Sequence, residues 1–227
     1  SAFTPRHVQK YEQDVRTRVS DCLDDLEERG SADWVETVAA PIPIGVISDL
    51  MGVPDSHYQF VFDRTNIILG ATDPEFATED DILTALLTAG GDLAALMTEV
   101  AEAKRGGDGE DLTSQLVNAD LGDDELTDAD LASFFILLVV AGNETTRNAI
   151  SWGMKYLTDN PDQRAIWEAD FEGVAASAVE EIVRLASPVT YMRRTLLEDY
   201  EMDGVQFRTG DKVMLHYLAA NRDPAVF

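Results

Sequence analysis

Cysteine is nearly absent: Cys22 stands alone in 227 residues. One cysteine excludes an internal disulfide framework and any zinc site built on cysteines. Positive charge is also scarce. Seventeen Lys and Arg face 43 Asp and Glu, a net charge of −26. Such a surface repels nucleic-acid phosphates and anionic lipid headgroups, so neither is expected as a partner. Long apolar runs are missing. The longest, Leu131 to Gly142, has 12 residues and is interrupted by Ser133, whereas a membrane span needs about 20. No apolar stretch follows a basic N-terminus, so no signal peptide is expected. These absences fit a cytoplasmic protein. Glycine and proline are ordinary at 15 and 8, with 45% hydrophobic residues. That composition excludes a collagen-like, low-complexity or wholly disordered chain.

What is present is mostly helical periodicity. Apolar residues at Val8, Tyr11, Val15, Val19, Cys22, Leu23 and Leu26 predict a helix over 5–29 that stops at Gly30. Cys22 lies on that stripe and reads as a buried structural thiol. Residues 33–52 read as a short helix, a turn broken by Pro41 and Pro43, and a second helix ending near Gly52. Further helices are predicted from Pro54-Asp55 to Leu69 and from Glu79 to Lys104, with loops at 70–78 and, clearest of all, at Arg105 to Asp111. A short helix at 112–119 and a turn at 121–125 come next. Thr127, with Asp130 three residues on, reads as a weak capping box. It opens a helix to about Thr158 that is apolar almost all round between Leu131 and Ala141, the mark of a buried central helix. Helices near 161–169 and 173–186 precede Pro188. Strand-like runs follow at Tyr191–Leu197, Tyr200–Met202, Val205–Phe207 and Lys212–His216, with Asp203-Gly204 as a hairpin turn. The fold class is mainly α, with a small β element near residues 191–216.

The long helix carries an unusual stretch, Ala141-Gly142-Asn143-Glu144-Thr145-Thr146. Glycine costs about 1 kcal/mol relative to alanine inside a helix, and a carboxyl among apolar neighbours is no packing choice. Thr145 can bond back to the carbonyl of Ala141. Ala141, Gly142 and Thr145 share a face and make a shallow groove for a flat ligand. Glu144 points about 100° away from Thr145, so the two would couple through water. Acid, alcohol and water beside a groove form a proton-delivery line. The competing explanation is packing alone: Gly142 permits a close helix crossing, and Glu144 pairs with Arg147 or another base. Glu181-Ile182-Val183-Arg184 is an i,i+3 pair that, taken alone, reads as a solvated surface pair. It is followed by Arg193-Arg194, which could clamp carboxylates.

Together these residues resemble a cytochrome P-450, a haem-thiolate monooxygenase. The 141–146 stretch matches the family's Ala/Gly-Gly-x-Asp/Glu-Thr-Thr element, and 181–184 its Glu-x-x-Arg element. Arg194 falls where the family has a haem-propionate arginine. Ala220 to Pro224 resembles the turn before the proximal segment, and Phe3-Thr4-Pro5-Arg6 the segment after the third helix. The resemblance implies a partial cytochrome P-450 fold, with residues 1–227 as a single incomplete domain, and haem as the cofactor of the full-length protein. It implies that Thr145 hydrogen-bonds dioxygen at the haem and that Glu144 feeds protons to its cleavage. Ala141 and Gly142 would face the haem, Glu181 and Arg184 would buttress the core, and Leu137, Val140, Val189 and Thr190 would line a pocket for a hydrophobic substrate. Methyl-branched lipids, terpenoids and sterol side chains are the substrate classes it suggests, and ferredoxin with its reductase the electron donors.

Two departures qualify the likeness. The family's cysteine ligand belongs to a Gly-rich loop, expected beyond Phe227, and Cys22 is in the wrong segment to replace it. The His-x-x-x-Arg element before Phe-Thr-Pro-Arg is also absent. The chain is therefore expected to be the middle of a longer protein and inactive alone. An acidic helical binding module, or a P-450-like scaffold that has lost catalysis, are the alternatives.

Overall fold

A computed structural model describes residues 9–71, 82–119 and 126–227. The chain divides into two compact units, Ser1–Arg147 and Asn148–Phe227. The resemblances at Phe3-Thr4-Pro5-Arg6 and the turn read at 121–125 lie outside the described residues, as do Val8 and most of the 70–78 loop.

In the first unit, a 3-10 turn at Gln9–Tyr11 leads into α1, Glu12–Arg29, which Gly30 ends in a left-handed conformation at φ 69°. No described residue of α1 is fully buried, and Cys22 is half-buried. The buried thiol read from periodicity is corrected accordingly: this helix lies on the surface of its unit. Pro41 does not break a turn. A π-helical turn, Val35–Ala39, runs directly into α2, Pro41–Met51, with Pro41 in its first turn. Proline is tolerated there because its missing N–H would have no intrahelical partner. Gly52, at φ 66°, ends α2. The left-handed turn favours glycine, and a side chain there would also displace the Lys104–Asp111 ion pair, 2.5 Å from Lys104 Nζ.

Helices α3, Tyr58–Leu69, α4, Ile82–Lys104, and α5, Leu112–Val117, complete the surroundings of α6, Asp128–Asp159. Asp111 caps α5, accepting from the Ser114 N–H at 2.9 Å. Thr127 and Asp130 form the reciprocal cap of α6: the Asp130 N–H donates to Thr127 Oγ1 at 3.1 Å, and the Thr127 N–H to Asp130 Oδ2 at 3.0 Å. The core is built from Met51, Val61, Leu93, Met97, Leu131, Phe135 and Val139, with smaller neighbours. Helices α4 and α6 have the length and apolar content of a membrane span, but many of their apolar side chains are spent on this core. The all-round burial expected of α6 is not found. Phe135 and Val139 are fully buried, whereas Leu137 is 62% exposed. Its apolar residues divide between an inner and an outer stripe.

The second unit starts within α6. It continues with α7, Pro161–Ala169, and α8, Phe171–Ala186, which Asp170 caps by accepting from the Gly173 N–H at 3.1 Å. Four short strands follow: β1, Met192–Thr195; β2, Tyr200–Met202; β3, Val205–Phe207; and β4, Lys212–Leu215. Strand β1 pairs antiparallel with β4, Arg194 opposite Val213, and β2 with β3, Met202 opposite Val205. Asp203 and Gly204 both take positive φ, 51° and 78°, as a tight hairpin turn demands. A one-turn helix, α9, Tyr217–Ala220, closes the chain.

Candidate active site

Helical periodicity sorts the informative residues of α6 into two faces. Val139, Asn143 and Arg147 follow one another at intervals of four on the inner face. Val139 and Asn143 are fully buried, and Arg147 Nη1 donates to Asn66 Oδ1 on α3 at 3.0 Å. Leu137, Ala141 and Thr145 form the outer row. Leu137 and Ala141 are exposed and Thr145 half-buried. Val140 and Glu144, both half-buried, form the neighbouring row. The sequence therefore places an alcohol, a methyl group and a carboxylate together on the open side of the helix.

The back-bond read from the sequence is present. Thr145 Oγ1 donates to the Ala141 carbonyl at 2.8 Å. With its proton so engaged, the hydroxyl oxygen keeps its lone pairs free to accept from a ligand on that face. Gly142 has a separate reason for its size: a Cβ there would lie 2.6 Å from Ile47 Cδ1 on α2. The close helix approach weighed as the competing explanation thus accounts for Gly142, while the groove rests on Ala141 and Thr145.

In the second unit, Glu181 and Arg184 form a bidentate pair. Arg184 Nε donates to Glu181 Oε2 at 2.7 Å, and Nη2 to Oε1 at 2.5 Å. The Arg184 hydrogen bonds hold the Glu181 carboxyl below its ordinary pKa. Arg184 also donates to the backbone carbonyl of Asn221, and its guanidinium lies 4.3 Å from the Phe227 ring centroid. This is more than a solvated surface pair: it ties α8 to the end of the chain. Val189 and Thr190 are exposed just after α8. Arg194 is exposed on β1, its Nη1 donating to the Arg193 carbonyl at 3.1 Å.

Whether these residues suit a haem can be asked of each unit separately. The open Ala141–Thr145 row is small enough for a flat apolar group to approach the helix backbone. Arg194 offers a solvent-facing guanidinium to a carboxylate. Cys22 is not suited to be a metal ligand. Burial pushes its thiol pKa up, with Arg18 opposing and Asp21 and Asp25 adding to the rise, and a metal binds the thiolate. Among the described residues no cluster of three His, Cys, Asp or Glu could hold a metal ion. The chain thus fits the group's open side and a carboxylate, and offers it no sulfur. A groove of about 680 Å³ lined by Arg18, Asp49 and Tyr58 lies elsewhere in the first unit and holds none of the candidate site residues read from the sequence.

Three residues escaped the sequence reading as individuals. Asn143 is fully buried, and neither atom of its carboxamide has a partner among the described residues. Its signal was an amide inside an apolar helical run. Ser187 and Asn221 hydrogen-bond across 34 positions, Nδ2 to Oγ at 2.9 Å. Only Pro188, after the helix predicted at 173–186, hinted at a corner there.

Comparison with known proteins places these features. Residues 174–227 match the family described as Cytochrome P450. The whole chain is 47% identical to a methyl-branched lipid omega-hydroxylase of Mycobacterium tuberculosis, covering 53% of that protein. It is 36% identical to a steroid C26-monooxygenase of Mycolicibacterium smegmatis, covering 51% of it. A Mycobacterium marinum cytochrome P450 solved in complex with pseudoionone superposes on all of this chain with a TM-score of 0.94 and 39% identity, over 55% of its own length. The chain spans about half the length of the curated relatives it matches. The fold agrees with that solved structure along the whole chain, and the chain belongs to the cytochrome P450 family.

Proposed function

We propose that the full-length protein is a haem-dependent monooxygenase that inserts one atom of O2 into an unactivated C–H bond of a hydrophobic substrate, with methyl-branched lipids favoured over sterols. The observation that carries this reading is the Thr145–Ala141 hydrogen bond on the open face of α6. The preference for lipids rests on the higher identity to the lipid hydroxylase. The haem, when bound, supplies dioxygen activation.

The chain's own residues have these roles. Ala141 gives a flat group access to the helix beside Thr145, while Gly142 lets α6 approach α2. Thr145 accepts a hydrogen bond at its oxygen, and Glu144 passes protons toward it through water. Arg194 holds a haem carboxylate. Leu137 and Val140 on α6, and Val189 and Thr190 after α8, offer apolar surface to the substrate. Glu181 and Arg184 hold the end of α8 in place. The axial cysteine comes from a segment outside this chain, so these 227 residues alone are inactive. A ferredoxin and its reductase supply electrons.

The test is made on the full-length protein with a methyl-branched fatty acid. Glu144→Gln is expected to slow product formation by about 10²-fold, and Thr145→Ala to divert consumed O2 into hydrogen peroxide, with lipid binding retained in both. Unchanged product yield per O2 in both variants would overturn the assignment.

A further inference from the structure

The segment between α8 and β1 is held at both ends by one short element. At its start, Ser187 takes φ 40° and ψ 62°, a left-handed conformation unusual for a side chain with a Cβ. It is only 3% exposed. Its hydroxyl donates to the Arg184 carbonyl at 2.7 Å and accepts from Asn221 Nδ2 at 2.9 Å. Its backbone N–H donates to the Val183 carbonyl at 2.9 Å. At the other end, the Thr190 carbonyl accepts from the Leu218 N–H at 3.1 Å. Leu218 lies in α9, and Asn221 is the residue that ends it. Two residues, Pro188 and Val189, are thus stretched between anchors on the same helix. Arg222 Nη2 adds a bond to the Leu185 carbonyl at 2.9 Å. A chain pinned this closely at two points has little freedom to shift, and Val189 and Thr190 remain exposed to whatever lies before them.

We propose that Asn221 is a positioning residue for substrate: through Ser187 it fixes the corner from which Val189 and Thr190 project, and so sets which carbon of the substrate is presented for oxidation. This rests on the function proposed above. The Asn221 carboxamide is separable from the Glu181–Arg184 pair, because Arg184 reaches the Asn221 backbone carbonyl, which every substitution retains.

The test uses the full-length protein and a methyl-branched fatty acid. Asn221→Ala and Ser187→Ala are each expected to change the ratio of hydroxylated positions by about threefold or more, while haem content stays at the wild-type level. If both act through one hydrogen bond, the double variant changes the ratio no further than the larger single. Amide hydrogen exchange at Leu218, whose N–H closes the far end of the clamp, is expected to quicken about tenfold in Asn221→Ala. Ser187→Gly, which keeps the left-handed backbone but removes the hydroxyl, should shift the ratio in the same direction. An unchanged ratio in Asn221→Ala overturns the proposal, whether or not exchange quickens. So does loss of haem across the alanine variants with no shift in Ser187→Gly. A wild-type protein that oxidises no lipid would sink the proposed function instead, and the Leu218 amide would then still report whether the clamp exists.

Discussion

The two units bury their apolar residues very differently. The first, Ser1–Arg147, closes a core around Phe135, Leu93 and Met97, each fully buried. In the second, Asn148–Phe227, every residue is described and no apolar side chain is buried. Leu197 is 90% exposed, Phe227 62% and Phe171 60%. What orders the second unit is polar: helix caps, two strand pairs, and the hydrogen bonds that Arg184, Ser187 and Asn221 make. Hydrogen bonds contribute about 1 kcal/mol each in water-exposed settings. Burial of a large apolar side chain contributes about 1.5–3 kcal/mol. The lesson is that a clear motif can stand on a frame that its own residues do not bury.

That contrast can be broken by substitution. The largest effect is expected at Phe135→Ala, which opens a cavity in the first unit and costs about 3–5 kcal/mol, read from the midpoint of denaturant unfolding. Asp111→Ala comes next. It removes the cap of α5 and the partner of Lys104, for about 0.5–2 kcal/mol. This site also makes the first unit acid-sensitive. Burial would raise the Asp111 carboxyl, but the Ser114 N–H, the Ser114 hydroxyl and Lys104 outweigh it and hold it below the ordinary value of 3.8. A depressed carboxylate stabilises the fold above its unfolded pKa, and the gain disappears as pH falls through the lower folded value. Far-UV circular dichroism below pH 4 should therefore show wild type converging on the Asp111→Asn variant. The smallest effect is expected in the second unit. Val183 is 43% exposed on α8, so Val183→Ala should change the stability of this chain by no more than about 0.5 kcal/mol. A cost above 2 kcal/mol in the same unfolding experiment would show a core there and erase the contrast.

Much of the fold was legible in the sequence because local chemistry decided it. Thr127 with Asp130 marked the start of α6, Gly30 and Gly52 the ends of α1 and α2, and Asp203-Gly204 a hairpin. Pro41 was misread because proline starts helices as readily as it breaks them. The burial of α6 was overstated because an apolar run does not say which side faces the core; Leu137 and Val139 differ by two positions and by nearly everything in exposure. In the candidate site, the Thr145–Ala141 bond was legible because it spans one helical turn. The docking of Arg184 on Asn221 spans 37 positions, and no local pattern encodes such a meeting. The packing of Gly142 against Ile47 was legible only as one of two explanations.

The proposed function assigns to this chain the oxygen-side residues of a P450 monooxygenase and not its sulfur ligand. The reduced, carbon monoxide-bound absorbance spectrum tests it most directly, taken on the 227 residues alone and on the full-length protein. The account predicts a thiolate-type Soret band from the full-length protein and none from the shorter chain. A thiolate-type band from the 227 residues alone, or its absence from the full-length protein, would contradict it.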